Sequence, residues 1–147
     1  MIRSIAILAA LLFSVGAIAG HHAESVAVPG SDVRVHEANG VRYVSGGVGD
    51  TEQAAIERNF GDYALKVINV RAEPNGQAYV SDVKVWLGHA NGEKILQTRT
   101  GGPWLLADLA PGKYQLRAWF KGEEQRRDFS IGPADRQRVL LLWNNAR

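Results

Sequence analysis

The chain has 147 residues, no cysteine, and 17 basic against 15 acidic side chains. That length fits one domain, the missing cysteine excludes disulfide staples and thiol chemistry, and the near-balanced charge excludes the concentrated basic stripe of an electrostatic nucleic-acid binder. The nearest approach to such a stripe, Arg126-Arg127, reads as solvated surface.

The chain opens MIRSIAILAALLFSVGAIAG. Arg3 precedes an apolar run that closes on Ala17-Ile18-Ala19, a small-x-small ending. A positive start, an apolar middle and a small-residue end predict a secretory signal peptide over residues 1–19. The run falls short of the roughly 20 residues needed to cross a bilayer. An uncleaved N-terminal anchor is the alternative. No later segment is long and apolar enough to span, so the mature chain is expected to carry no transmembrane span. The short signal favours the periplasm of a Gram-negative cell as destination. Cleavage before Gly20 takes 19 of the 147 residues and leaves 128, enough to bury a core without crosslinks.

Residues 20–31, GHHAESVAVPGS, are small and polar and read as a flexible leader with a short strand at 26–28. From 32 to 147 a single domain is expected. Residues 33–36 and 41–45 read as strands around Asn39-Gly40. Asn-Gly favours the positive backbone angles of tight hairpin turns, and Asn75-Gly76 and Asn91-Gly92 repeat the signal. In GDTEQAAIERNFGDY one helix is predicted over 51–60. Asp50 is its expected cap with Gln53 as capping-box partner, Ala54, Ala55, Ile56 and Phe60 are its apolar side, and Gly61 is its stop. Such a short helix needs tertiary support, so it should lie across one end or edge of a sheet with Ile56 and Phe60 inward. The glycines at 46, 47 and 49 ahead of it raise the question of anion binding at a helix start. They lack the Lys-Ser/Thr ending of a phosphate loop, and are read as a turn.

After Gly61 the chain alternates strand and turn. Residues 63–71 place Tyr63, Leu65 and Val67 on one side. Residues 78–87 read as one strand, with Val83, Val85 and Leu87 against Lys84 and Trp86. Weaker or shorter strands follow at 94–100 and 103–107. Residues 113–121 alternate sharply, Tyr114, Leu116, Ala118 and Phe120 against Gln115, Arg117, Trp119 and Lys121, before strands at 124–131 and 138–143. Strands recurring about every ten residues between turn signals predict a mostly β, antiparallel sandwich.

The segment LADLAPGKYQLRAW predicts a corner. Pro111 fixes φ, Gly112 is assigned the positive φ of a type II turn, and Tyr114 is expected to bury its ring while its hydroxyl latches the turn, as in a tyrosine corner. Leu109-Ala110-Pro111-Gly112-Lys113-Tyr114 resembles the Leu-x-Pro-Gly-x-Tyr signature of carboxypeptidase regulatory-like domains, which are transthyretin-like (prealbumin-like) seven-strand sandwiches. DVKVWL and the Asn91-Gly92 hairpin agree, and Gly101-Gly102-Pro103-Trp104 departs from the pattern. The resemblance covers about 79–143. It implies a transthyretin-like core with residues before it, the helix included, as an extension of the kind carried by small exported proteobacterial proteins. It also implies an accessory role, because the zinc-bearing catalytic domain of the carboxypeptidases is absent.

Four positions carry the ligand-binding expectation. Trp86 and Trp119 fall on the polar sides of their strands with Arg117 and Lys121, so two rings and several cations share a surface if the strands are neighbours. Exposed aromatics beside polar groups suit ligand contact. Cover by the N-terminal segment and helix is the competing expectation. A mature start at Gly20-His21-His22 would offer an α-amine, two amides and an imidazole, a square-planar set for Cu(II) or Ni(II). Copper titration of the mature chain tests it, since a visible band that survives deletion of residues 20–22, or no band, ends the idea. His36 and His89 read as ordinary surface residues. No serine elbow or grouped carboxylates appear, so an enzyme is not expected. The function expected is a non-catalytic binding or structural module of the cell envelope that engages a protein or a surface polymer. Metal handling through the N-terminal histidines and carbohydrate binding through the tryptophans are the alternatives.

Overall fold

The computed structural model describes residues 25–28 and 31–144. Among them the chain runs through eleven strands and one helix. The first three strands are β1 (Val26–Ala27), β2 (Arg34–Ala38) and β3 (Val41–Gly46), and helix α1 (Gly49–Phe60) follows. Then come β4 (Leu65–Glu73), β5 (Gly76–Tyr79), β6 (Lys84–His89) and β7 (Lys94–Arg99). The chain finishes with β8 (Trp104–Ala107), β9 (Gly112–Phe120), β10 (Glu123–Ile131) and β11 (Gln137–Trp143).

The strands form two sheets. One has the order β1-β2-β3-β8-β4-β11, with β5 also paired to β4. The other is four-stranded, β10-β9-β6-β7. Between them lies a core that includes Leu65, Val67, Val85, Leu87, Leu105, Leu116, Leu141 and Trp143. Full burial of one such side chain contributes about 1.5–3 kcal/mol, so this interior dominates the fold. The mostly β sandwich with one helix therefore follows from the alternation read in the sequence.

A second apolar cluster lies on the outer face of the larger sheet, where Val28, Val33, Val44, Ile68, Val70, Trp104 and Leu106 meet Ile56 and Phe60 of α1. The helix thus covers a sheet face rather than an end or edge. Ile56 and Phe60 point inward as expected, while Ala54 is exposed. Tyr63 belongs to this outer cluster and not to the side of Leu65 and Val67, because β4 begins only at Leu65.

Other expectations need correction. Residues 78–87 are two strands in different sheets. Asp82 takes a positive φ of 60°, and the amide of Val80 donates to Asn69 in one sheet while that of Asp82 donates to Thr100 near the other. Strand β11 runs parallel to β4, beside the antiparallel ladders that the sandwich was expected to have. Gly112 does not adopt a positive φ. It opens β9 opposite Ile131, and that pairing requires extended backbone. The latch itself is present: Tyr114 is buried, and its hydroxyl donates to the carbonyl of Ala110. Residues ahead of 79 are no appendage, since β4 is bonded to β8, β5 and β11.

Two polar features escaped the sequence reading. Asn69 is fully buried and accepts from the indole N–H of Trp143 at 3.2 Å while its amide reaches Pro103 O at 3.3 Å. Gln125 donates to Leu142 O at 2.7 Å, and the Asn144 amide donates to Glu123 at 3.1 Å, so side chains of β10 close one corner between the sheets.

Candidate functional site

The two sheets treat their outer faces differently, and that difference locates the candidate site. In the four-stranded sheet, strict alternation sends Val85, Leu87, Leu116 and Ala118 inward. Lys84, Trp86, Gln115, Arg117 and Trp119 must then point outward. Register completes the face: Lys84 lies opposite Trp119 and Trp86 opposite Arg117. Trp86 and Trp119 are therefore diagonal neighbours, a placement that separates Cα atoms by about 7–8 Å. Both are half-buried.

Each ring is held. The indole of Trp86 lies over Gly88, two residues along the same strand. A Cβ at Gly88 would sit 2.3 Å from Trp86 Cη2 and 2.7 Å from the carbonyl oxygen of Glu93. The missing Cβ thus leaves room for the outer edge of the ring, and Gly88 is itself buried. Trp119 is flanked by two cations, with Lys84 Nζ at 5.3 Å and the Arg117 guanidinium at 5.1 Å from its centroid. Arg117 donates twice to Glu124, at 3.2 and 2.9 Å. The arginine hydrogen bond, with a smaller contribution from Trp119, holds the Glu124 carboxyl below its ordinary range.

Three of the four expected ligand residues, Trp86, Trp119 and Arg117, are brought together. Lys121 is not. It occupies the turn between β9 and β10 with a φ of 45° and lies 5.5 Å from Phe120. The strand ends one residue earlier than alternation implied, because Lys121-Gly122 forms the hairpin turn. In its place the register adds Lys84, with Gln97 opposite Trp86 and Arg99 opposite Lys84 on β7. An irregularity in the β6–β7 pairing sets Lys94 opposite Gly88. Lys84, Lys94, Gln97, Thr98 and Arg99 line a shallow groove of about 530 Å³.

The glycine turn before α1 offers no free anion site. Glu52 accepts hydrogen bonds from the amides of Gly47 and Val48 at 2.7 and 3.3 Å, so the chain's own carboxylate occupies that position. Asp50 lies inside the first turn and makes no capping bond, and Gln53 donates to the Gly47 carbonyl. Gly47 has a φ of 92°, and a Cβ there would press on Trp104 at 3.0 Å.

At the opposite end of the sandwich a concavity of about 260 Å³ is lined by Asp62, Asp108 and Asp135 beside Pro111. Two of its carboxylates are engaged internally: Asp108 pairs with Arg42 at 3.1 Å, and Asp135 accepts from Gln137, Gly132 and Arg136, which hold it below the ordinary range. Among the described residues no group of three or more His, Asp or Glu is placed to hold a metal ion. Gly20, His21 and His22, like the predicted signal peptide, lie outside the described residues. His36 stacks on Tyr43 at 5.3 Å and His89 on Tyr114 at 5.6 Å. Within the described residues no helix is long and apolar enough to cross a membrane. Comparison of the chain with protein-family models, curated proteins and solved structures finds no match.

Proposed function

We propose that this protein is a non-catalytic, exported binding module of the cell envelope that engages an envelope protein or surface polymer through the outer face of its four-stranded sheet. One observation carries the reading: two partly exposed indoles and their flanking cations share that face, while the helix closes the corresponding face of the other sheet. Large planar side chains beside guanidinium and ammonium groups dominate recognition surfaces because they bury much area at little entropic cost. Export and a periplasmic location rest on the signal-peptide pattern of residues 1–19. The Leu109-to-Tyr114 corner, with Tyr114 bonded to Ala110, supports kinship with carboxypeptidase regulatory-like, transthyretin-like domains and their accessory role.

The test is affinity capture from envelope extract with immobilised protein. Wild type and a control altered on the opposite sheet, Arg138→Gln, should retain the same component. Trp119→Ala combined with Arg117→Gln should not. Equal retention by all three removes the face from the function.

A further inference from the structure

We propose that the occupant of this face is an anionic polysaccharide, with sugar rings stacked on Trp86 and Trp119 and acidic substituents met by Lys84, Lys94, Arg99 and Arg117. The proposal rests on the binding face described above and adds the chemistry of what binds there.

Charge is the first argument. The outward positions of the four strands carry six cations, Lys84, Lys94, Arg99, Lys113, Arg117 and Arg126, against two carboxylates, Glu124 and Asp128. Counting Asp82, which pairs with Arg99 from beside the strand at 3.3 Å, the surplus is still three. The whole chain has a net charge of only +2, so its positive excess is concentrated here. Lys84 and Lys94 have no carboxylate partner among the described residues, and both line the groove along β7. Such a surface favours an acidic partner.

Shape and composition are the second. The outer edge of the Trp86 ring, Cη2 and Cζ3, lies where a Cβ of Gly88 would be, so the ring leans along its own strand instead of standing out as a knob. No Leu, Ile, Val, Met or Phe points outward from β6, β7 or β9 between the two indoles. Their neighbours are Gln97, Gln115 and Arg117. A protein hot spot surrounds its aromatic anchors with tightly packed, water-excluding contacts. Here flat rings alternate with amide and guanidinium donors, which suits a chain of flat, hydroxyl-rich rings that also bears charge.

The decisive measurement follows tryptophan emission and affinity electrophoresis of the purified protein with four polymers. Polygalacturonate and dextran sulfate supply rings with charge, dextran supplies rings alone, and poly-L-glutamate supplies charge alone. At least one charged polysaccharide should bind about ten-fold more tightly than either single-feature polymer. Trp119→Ala should weaken that binding about ten-fold, and the exposed Lys84→Gln about three-fold with a shallower salt dependence. Because Trp86 also packs on Gly88, Trp86→Ala is read only with matched far-UV circular dichroism, and Trp119→Ala and Lys84→Gln carry the test where it does not fold. Poly-L-glutamate binding as tightly as the charged polysaccharides, and indifferent to Trp119→Ala, overturns the proposal in favour of an acidic protein and leaves the binding face standing. Dextran binding as tightly as its sulfated form removes the role of charge and likewise overturns it. If none of the four binds, the polysaccharide is ruled out, and capture by the same face then decides separately whether it binds anything else.

Discussion

The outer faces of the two sheets make contrasting use of the same ingredients. Each carries a tryptophan with a lysine over its ring. On the larger sheet Trp104 is buried, Lys66 Nζ lies 3.5 Å from the ring centroid and pairs with Glu57, and the lysine side chain is only 12% exposed. On the smaller sheet Trp86 and Trp119 are only partly buried, and Lys84 is exposed. A helix docked on one face turns an aromatic–cation pair into packing. The other face, with no helix over it among the described residues, keeps the same chemistry available to a partner.

The sharpest way to break that contrast is to weaken the covered side. Ile56 has no exposure at all, and Ile56→Ala should cost about 2–5 kcal/mol, the range for large-to-small core changes. Urea denaturation checks it. A loss below about 1 kcal/mol would mean that α1 is not a structural cover, and the two faces would then no longer differ in kind.

The open side has its own structural dependence, at Gly88. Its substitution by alanine drives a Cβ into the Trp86 ring and the Glu93 carbonyl. Overpacking of this kind costs about 1–3 kcal/mol, and the displaced indole should emit further to the red. Adding Trp86→Ala should recover only part of the loss, because the backbone contact with Glu93 remains. Full recovery would show that the glycine serves the ring alone.

These two residues also show what could be read from the sequence. Ile56 was legible, because its spacing from Phe60 on a glycine-terminated segment marks an inward helix side. Asn39-Gly40 was legible for an equally local reason, and both residues do adopt positive φ, at 49° and 77°. The pairing of Trp86 and Trp119 on one face needed only alternation plus adjacent strands. The seat at Gly88 was not legible, since it depends on where a neighbouring ring comes to rest. Nor was the break at Asp82, where bonds to Asn69 and Thr100 in different sheets override a continuous β pattern. Arg117 was found through alternation, while Arg99 and Lys94 required the register of β7. Lys121 was misplaced by a single residue of strand length, enough to take it off the face.

The tyrosine corner belongs to neither outer face and so provides a reference for both. Tyr114→Phe removes the bond to Ala110 and should cost about 1 kcal/mol. Burial raises the pKa of the Tyr114 hydroxyl above its ordinary value. A group whose folded pKa is raised contributes stability fully below its unfolded pKa, here about 10, and loses it as pH climbs through the folded value. The melting temperature of wild type should therefore fall above about pH 10, and that fall should be shallower in Tyr114→Phe. Some of it should persist, because burial also raises Tyr63 in the helix-covered cluster. An identical alkaline limb in both proteins would place the effect on Tyr63 and leave the corner without a titrating role.

The smallest expected change is at Lys84. Its ammonium is solvated, 5.3 Å from the Trp119 ring, and without a carboxylate partner among the described residues. Exposed cation–ring contacts are weak, and surface changes of this kind usually stay within about 0.5 kcal/mol. Lys84→Gln should therefore leave the urea midpoint nearly unmoved. That near-silence is informative because Lys66, the corresponding cation over Trp104, is held beneath the helix and bonded to Glu57. A clear destabilisation by Lys84→Gln would mean that the open face is held together by its own cations, much as the covered face is by its helix. Stability unchanged, with weakened binding of a charged polymer, would instead assign the lysine's energy to a ligand rather than to the fold.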